Sequence, residues 1–526
     1  MIRIAFIGML LFAQTIVLAQ TSPVELWRSA EYVENINVEG PIIALDKYQN
    51  TYMLTTQLDD TPLVGYTLVK YDSLGHALWN QSYPVPSIFG FIYGSFTVDS
   101  LGFSYVSLIF NGGWAGDGAN AILVKYSPDG EQLWDANYGL NQTGDNYIFY
   151  TDLAPSGRLI ALGMNLSNTV VADNFLFVSA IDPATGAELW KTKVPGSFGP
   201  QNLRVHADRI QILATQYLPG DNDYVIMQLD FNGNILEQYA KPYTGYAIDF
   251  NYITQNGDVL LGNRAFGYNA AKLNAQGDTL WTYSFPDVSG SITNWVRGVV
   301  EDDSMYAYVT GAAHLPGYNY DADFITTKLS PAGTVIWEKA YRLKEENTPD
   351  TGNSLFVGEQ YVFAVGGGKD STGKTLGMIN VYDKVKGDEI YTILIEQDYS
   401  VSVEKCIVVN DKIYYTATSH NNTPTSTNIL TGAFLLPKIT SSSHVFLDSN
   451  LKVFPNPTVD QLNIDNIDPS VFNYLEVASI SGQVMMRSAI KENTVTVDMS
   501  AYPAGVYLIS MQGKGVVINK KIIKTD

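Results

Sequence analysis

Apolar and polar positions along this chain come in short bursts, and the bursts repeat. Eight times between about residue 40 and residue 440, an apolar strand is followed by a variable loop and then by a second strand ending in a turn. The first strands are TYMLTTQ from Thr51, FSYVSLIF from Phe103, RLIALGMN from Arg158 and RIQILATQY from Arg209. They continue with DVLLGNRAF from Asp258, MYAYVTGAA from Met305, YVFAVGGGK from Tyr361 and KIYYTATS from Lys412. Their starts lie about 47 to 56 residues apart, the length of one blade in a radial repeat.

The second strands repeat more tightly. YTLVKYDSLGHALW, AILVKYSPDGEQLW and FLFVSAIDPATGAELW end at Trp79, Trp134 and Trp190. YVIMQLDFNGNILE puts Glu237 in the tryptophan position, NAAKLNAQGDTLW and FITTKLSPAGTVIW end at Trp281 and Trp337, and GMINVYDKVKGDEIY supplies Tyr391. Each copy reads as a hairpin. An alternating strand meets a turn of Asp, Asn, Pro and Gly, then a short outer strand opens with a bulky aromatic. An aromatic at a fixed distance after every turn is expected to pack between neighbouring blades.

The eighth copy, GAFLLPKIT from Gly432, lacks both turn and tryptophan, and the missing piece stands near the start of the chain as Leu26-Trp27 in VELWRSAEY. A ring of blades must hide its open sheet edges, and lending an N-terminal strand to the last blade does so. The expected fold is all-β: an eight-bladed β-propeller over residues 20–440, closed by strand 24–32, with seven blades as the alternative count. A serine-rich linker at 441–450 and a small β-sandwich at 451–526 follow, the latter with turns at Pro455-Asn456-Pro457, Ser481-Gly482 and Pro503-Ala504-Gly505.

Charge narrows the partners. With 32 basic and 53 acidic residues the formal net is −21, which repels nucleic acid, whose affinity rests on Lys and Arg neutralising phosphates. Cys406 is the single cysteine, so no intrachain disulfide or cysteine-based zinc site is expected, and its apolar run VEKCIVVND predicts a buried, inert thiol. Residues 1–19 read as a signal peptide, with Arg3 before an apolar run and cleavage expected between Ala19 and Gln20. No cysteine follows that cut, which argues against a lipid anchor, and no later apolar run is long enough to predict a membrane span.

The repeats resemble the quinoprotein-like and bacterial β-propeller repeats; YVTGAAHLPGYNYDADFITTKLSPAGTVIWEKAY from Tyr308 fits the bacterial pattern best, and AIDPATGAELW from Ala180 resembles the tryptophan-docking motif of quinone enzymes. That resemblance implies fold far more than activity. Quinone-dependent dehydrogenases of the family generally use adjacent cysteines, which one cysteine cannot supply. SPDGEQLW resembles the Asp-box turn of sialidases without keeping its spacing, and no carboxylate pair can be singled out.

The C-terminal segment resembles the type A sorting domain of the type IX secretion system of Bacteroidetes. Val453-Phe454-Pro455-Asn456-Pro457, Ile480-Ser481-Gly482-Gln483, Pro503-Ala504-Gly505-Val506-Tyr507 and Lys520-Lys521-Ile522-Ile523-Lys524 carry the match. It implies recognition by the secretion machinery and delivery, through the periplasm, outside the cell or onto the outer-membrane surface.

Chemistry is sparser. His76, His206, His314, His420 and His444 form no metal-binding spacing. No cofactor is expected, although acidic stretches at PGDNDY from Pro219 and PGYNYDADF from Pro316 offer oxygen ligands of the kind Ca²⁺ takes. The loops FGFIYGSF from Phe89, NGGWAGDGAN from Asn111 and HLPGYNYDADF from His314 set aromatics among hydrogen-bonding side chains, as glycan or peptide recognition requires. The expected function is a monomeric, non-catalytic propeller that binds a glycan or protein; the alternative is an extracellular hydrolase acting on polysaccharide.

Overall fold

The computed structural model describes residues 23–34, 41–57, 63–86, 95–110, 120–138, 145–167, 173–219, 221–242, 250–263, 267–285, 294–314, 322–343, 350–370, 372–420, 426–437, 452–465, 467, 469, 472, 474–479, 484–513 and 516–525. Two compact units emerge, one spanning Trp27–Ala433 and the other holding Phe434–Asp526 with the residues up to Leu26.

The larger unit is built from eight four-stranded sheets. In the first, Ile42–Leu45, Thr51–Gln57, Leu63–Tyr71 and Ala77–Pro86 follow one another in sheet order. Six more repeat that meander. Their leading strands are Phe96–Val98, Asp145–Leu153, Phe198–Val205, Phe250–Ile253, Trp295–Glu301 and Thr351–Val357. In the eighth, Ser400–Val409, Lys412–His420 and Ser426–Leu435 are joined by Val24–Glu34 as the outermost strand. Each leading strand packs against those of the blades on either side, and the first blade's packs against the eighth's. Eight leading strands therefore ring one axis, and the architecture is an eight-bladed propeller.

The eight strands singled out from sequence are each the second strand of a blade. They and the third strands are sandwiched between neighbouring sheets, so both faces are buried, as at Ala307–His314 and Ala322–Leu329. That is why they read as apolar runs. The innermost strands are mostly half-buried, as at Phe96–Val98 and Trp295–Glu301, and carry no comparable pattern.

What joins blade to blade is an indole seated on a glycine. The turn after each third strand is closed by its first side chain; Asp72 Oδ1, for example, accepts the backbone N–H groups of Leu74 and His76 at 2.8 and 2.9 Å. The turn then needs a residue in the left-handed region, and Gly75, Gly130, Gly186, Gly233, Gly277, Gly333 and Gly387 fill it. A second constraint acts at the same atoms. A Cβ on Gly130 would lie 2.7 Å from Trp79 Cγ, and one on Gly387 2.6 Å from Trp337 Cγ. Trp27, Trp134, Trp190 and Trp281 sit likewise on Gly75, Gly186, Gly233 and Gly333.

A lysine completes the joint. Lys70 is the ladder partner of Trp79, Lys125 of Trp134 and Lys328 of Trp337. Each pair converges on one carbonyl of the next blade's turn. Lys70 Nζ and Trp79 Nε1 donate to Pro128 O at 2.8 and 2.9 Å, and Lys125 Nζ and Trp134 Nε1 to Pro183 O at 2.7 and 3.1 Å. Lys328 Nζ and Trp337 Nε1 donate to Lys384 O at 2.8 and 3.3 Å. Stacking on tyrosines helps hold the buried ammonium groups, with Lys70 4.9 Å from the Tyr52 ring and Lys328 5.4 Å from that of Tyr308. Lys272, opposite Trp281, turns instead to Glu301 and Asp258, and Trp281 Nε1 finds no partner.

Blade 4 departs from the pattern. Glu237 replaces the tryptophan, and Gly277 meets the stem of Lys241, whose ammonium pairs with Asp278 at 2.7 Å. The contact with blade 5 there relies on a core of Leu213, Tyr224, Ile226, Ile253, Val259, Leu261 and Leu273.

The smaller unit contains two sheets around Leu462, Ile464, Phe472, Leu475, Val477, Val497, Ile509, Met511 and Ile522. One comprises Lys452–Phe454, Gln461–Asp465 and Thr494–Asp498; the other orders Val484–Ala489, Tyr474–Ser479, Gly505–Gly513 and Val516–Lys524.

Trp337→Ala should lower unfolding stability by roughly 3 kcal/mol or more, because it empties the joint and strips the ring from Tyr308 and Tyr382. Glu237→Ala, at the position without an indole, should cost less than about 0.5 kcal/mol. Denaturant titration of both variants checks the contrast, and equal losses would contradict the joint's role.

Candidate functional site

With their lysines and tryptophans spent on the joints, the blades leave their innermost strands as the place where polar groups meet. Five of these strands slip in register against their neighbours. The slips fall between Ile148 and Tyr150, Pro200 and Asn202, Val296 and Gly298, Gly352 and Ser354, and Val403 and Lys405. Each is a bulge that re-aims one extra residue, here Phe149, Gln201, Arg297, Asn353 and Glu404.

Those residues are stitched from blade to blade. Arg297 Nη1 donates to Asn353 Oδ1 at 3.0 Å, and Asn353 Nδ2 donates to Ser402 Oγ and Val403 O at 2.7 and 2.9 Å. On another arc, Asn202 Nδ2 donates to Asn251 Oδ1 at 2.7 Å, while Asn251 Nδ2 reaches back to Gln201 O at 3.3 Å. Ser95, Thr97 and Thr151 share hydroxyl contacts at 2.8 Å, and at the closure Thr416 Oγ1 donates to Pro41 O at 3.2 Å.

Charge gathers on the arc of blades 6 to 8. Glu404 Oε1 accepts from Thr418 Oγ1 at 2.8 Å. Burial pushes its carboxyl up, against the opposing pull of that hydrogen bond and of Arg297 and His420. Lys405 keeps an open side-chain surface, yet protein hems it closely enough that desolvation pulls its ammonium down, with Glu404 opposing. Trp295, at the head of the same inner strand as Arg297, is half-buried with the guanidinium 5.6 Å from its ring centroid, and its Nε1 lacks a partner.

The sequence-predicted residues are dispersed. His76 is exposed in a turn beside Asp72, His206 is buried against Gln211 at 3.0 Å, and His314 lies buried against Asn294 at 2.9 Å. His420 contacts Thr427 at 3.2 Å, on the strand next to Glu404, and His444 lies outside the described residues. Cys406 is buried and its thiol is pushed up to about 12 by desolvation, which leaves it unreactive at neutral pH.

PGDNDY is not an open acidic loop, since Asp221 already begins a strand and pairs with Leu218. Within PGYNYDADF, both oxygens of buried Asp323 are taken by Arg342 at 2.6 and 2.7 Å. Among the described residues no three His, Cys, Asp or Glu side chains come together to hold a metal ion. The cleavage residues Ala19 and Gln20, Gly482, and most of the loops beginning at Phe89, Asn111 and His314 lie outside the described residues.

The C-terminal motif residues do meet. Asn456 acts as a side-chain peptide group toward the last strand: its Nδ2 donates to Lys521 O at 3.0 Å and its Oδ1 accepts from Ile523 N at 2.8 Å. Pro455, Asn456 and Pro457 form the bend that aims it, and the Thr458 and Thr525 backbones continue the pairing. Gly505 opens the strand carrying Tyr507, whose hydroxyl donates to Pro503 O at 2.7 Å, while Lys524 is buried with Nζ on Thr525 O at 2.8 Å.

A family model described as secretion system C-terminal sorting domain matches residues 452–525. The C-terminal segment is a type IX sorting domain. The protein is therefore exported by that machinery, which places it outside the cell or on the outer-membrane surface and points to a Bacteroidetes source. Interaction with the secretion machinery follows from the sorting domain. No helix among the described residues is long and apolar enough to cross a membrane.

No curated protein matches the chain. Among solved structures, the WD40 domain of SCAP from fission yeast shares 10% identity at a TM-score of 0.44, covering 77% of this chain and 98% of that one. The β-propeller domain of the Trilobed protease from Pyrococcus furiosus shares 9% at 0.36, covering 62% and 90%. The polysaccharide lyase Uly1 shares 12% at 0.38, covering 65% and 90%. Likeness at this level carries no argument about activity.

Two outcomes follow. A chain lacking residues 451–526 should accumulate in the periplasm, read by fractionation and immunoblotting; normal display outside the cell would contradict the sorting assignment. Glu404→Gln should raise the thermal midpoint at pH 7 to 8. The Glu404 pKa is higher folded than unfolded, so its native carboxylate costs stability increasingly as pH rises between the two values. Below both pKa values the difference should vanish; a lower midpoint for the variant at neutral pH would contradict the assignment.

Proposed function

We propose that the propeller is a non-catalytic binding module, acting as a monomer outside the cell, that takes a glycan or protein ligand at its axis. The observation that carries this reading is the division of labour among polar groups. Lys70, Lys125 and Lys328 are consumed in joints, and Lys272, Asp258 and Glu301 in a buried ion-pair cluster. The groups left half-buried on the innermost strands are mostly amides and hydroxyls, which suit recognition through hydrogen bonds.

One observation favours a second reading, an extracellular hydrolase acting on polysaccharide. Glu404 is a half-buried carboxyl at the axis, raised by burial in the manner of a general acid. A glycosidase would also need a second carboxylate about 5 to 10 Å away.

The full chain without leader residues 1–19 should bind members of a glycan or protein panel and release no new reducing ends from the glycans it binds. Turnover abolished by Glu404→Gln would overturn the binding reading in favour of the hydrolase.

A further inference from the structure

Lys405 lacks the anchor that four other strand lysines of the blades have. The ammonium groups of Lys70, Lys125 and Lys328 each sit on a turn carbonyl, and that of Lys272 on two carboxylates. Lys405, on the innermost strand of the eighth blade, keeps its side chain exposed and makes no side-chain hydrogen bond or salt bridge among the described residues. Its neighbour Glu404 accepts a hydrogen bond from Thr418.

The surroundings of Lys405 are specific. The bulges of three consecutive blades place Arg297, Asn353 and Glu404 at one register, and the Arg297–Asn353–Ser402 chain of hydrogen bonds fixes the guanidinium's direction. Trp295 lies under that guanidinium with an unpaired indole N–H. Trp295 and Arg297 thus lie on the innermost strand of the sixth blade, and Ser402 and Lys405 on that of the eighth.

We propose that this arc binds a sugar residue carrying one carboxylate, with Lys405 and Arg297 on the carboxylate, Ser402 on a hydroxyl and Trp295 beside the ring. The proposal rests on the binding reading above and names its ligand class. Two cations against one carboxylate, Glu404, select an anion, and Arg presents the planar fork that matches carboxylate geometry. Hydroxyl and amide groups along the inner strands suit the hydroxyls of a sugar. The net charge of −21 repels polyanions at long range, so the ligand is sparsely charged, a terminal acidic sugar on an otherwise neutral chain.

Calorimetry on the leaderless full chain, with a glucuronate-terminated oligosaccharide and its glucose-terminated analogue, tests this. The acidic probe should bind about tenfold or more tightly than the neutral one, and Lys405→Met, which keeps the apolar stem, should erase that preference with the thermal midpoint unchanged. Arg297→Gln should weaken the acidic probe likewise. Equal binding of the two probes, a preference that survives Lys405→Met, or binding of an acidic peptide through Lys405 instead would overturn the proposal and leave the binding reading standing. Failure of every glycan and protein in the panel to bind would remove both.

Discussion

The joint between an indole and a glycine is the constraint on which the propeller depends. A bare glycine is needed twice over at six of the blade turns, once because the backbone is left-handed there and once because the preceding blade's ring occupies the space of a side chain. At Trp79, Trp134 and Trp337 the ring is held by a lysine opposite it on the ladder, and both donate to one carbonyl of the next blade's turn. Turn and tryptophan therefore recur as a set, and their period is the period of the fold. Where the tryptophan is replaced, as at Glu237, apolar packing around Tyr224 and Ile253 takes over.

Closure follows from the same set. Trp27 sits on Gly75 as the other tryptophans sit on their glycines, and the strand that carries it completes the eighth sheet. The joint between the last and first blades thus uses the same indole-on-glycine contact, although Trp27 Nε1 finds no acceptor among the described residues. Burying lysines and carboxylates in such places is costly unless each finds its partner. The blades meet that condition at the periphery, so unpaired charge stands out where it occurs.

The ring was legible in the sequence because its signals are local and repeated: doubly buried strands such as Ala307–His314, glycine turns, and an aromatic after each turn. The lysine was less visible, though Lys70, Lys125, Lys272 and Lys328 each stand nine residues before a tryptophan, and that recurrence was the available signal. The axial arc was not legible. Arg297, Asn353 and Glu404 share no motif and are far apart in the chain; only the bulges, which depend on pairing register, bring them to one level. The sorting domain was legible for the opposite reason, since Asn456, Tyr507 and the closing lysines serve one small unit whose residues are fixed by its own strand pairing.

Export and architecture are properties of the repeat and the tail, whereas specificity is assigned to the few inner-strand residues that neither uses. The most direct test of that assignment is a crystal structure of the leaderless chain soaked with the glucuronate-terminated oligosaccharide. The account predicts the sugar carboxylate within hydrogen-bond distance of Lys405 Nζ and the Arg297 guanidinium, with the sugar ring beside Trp295. An empty axis with the sugar seated elsewhere on the blades would contradict it.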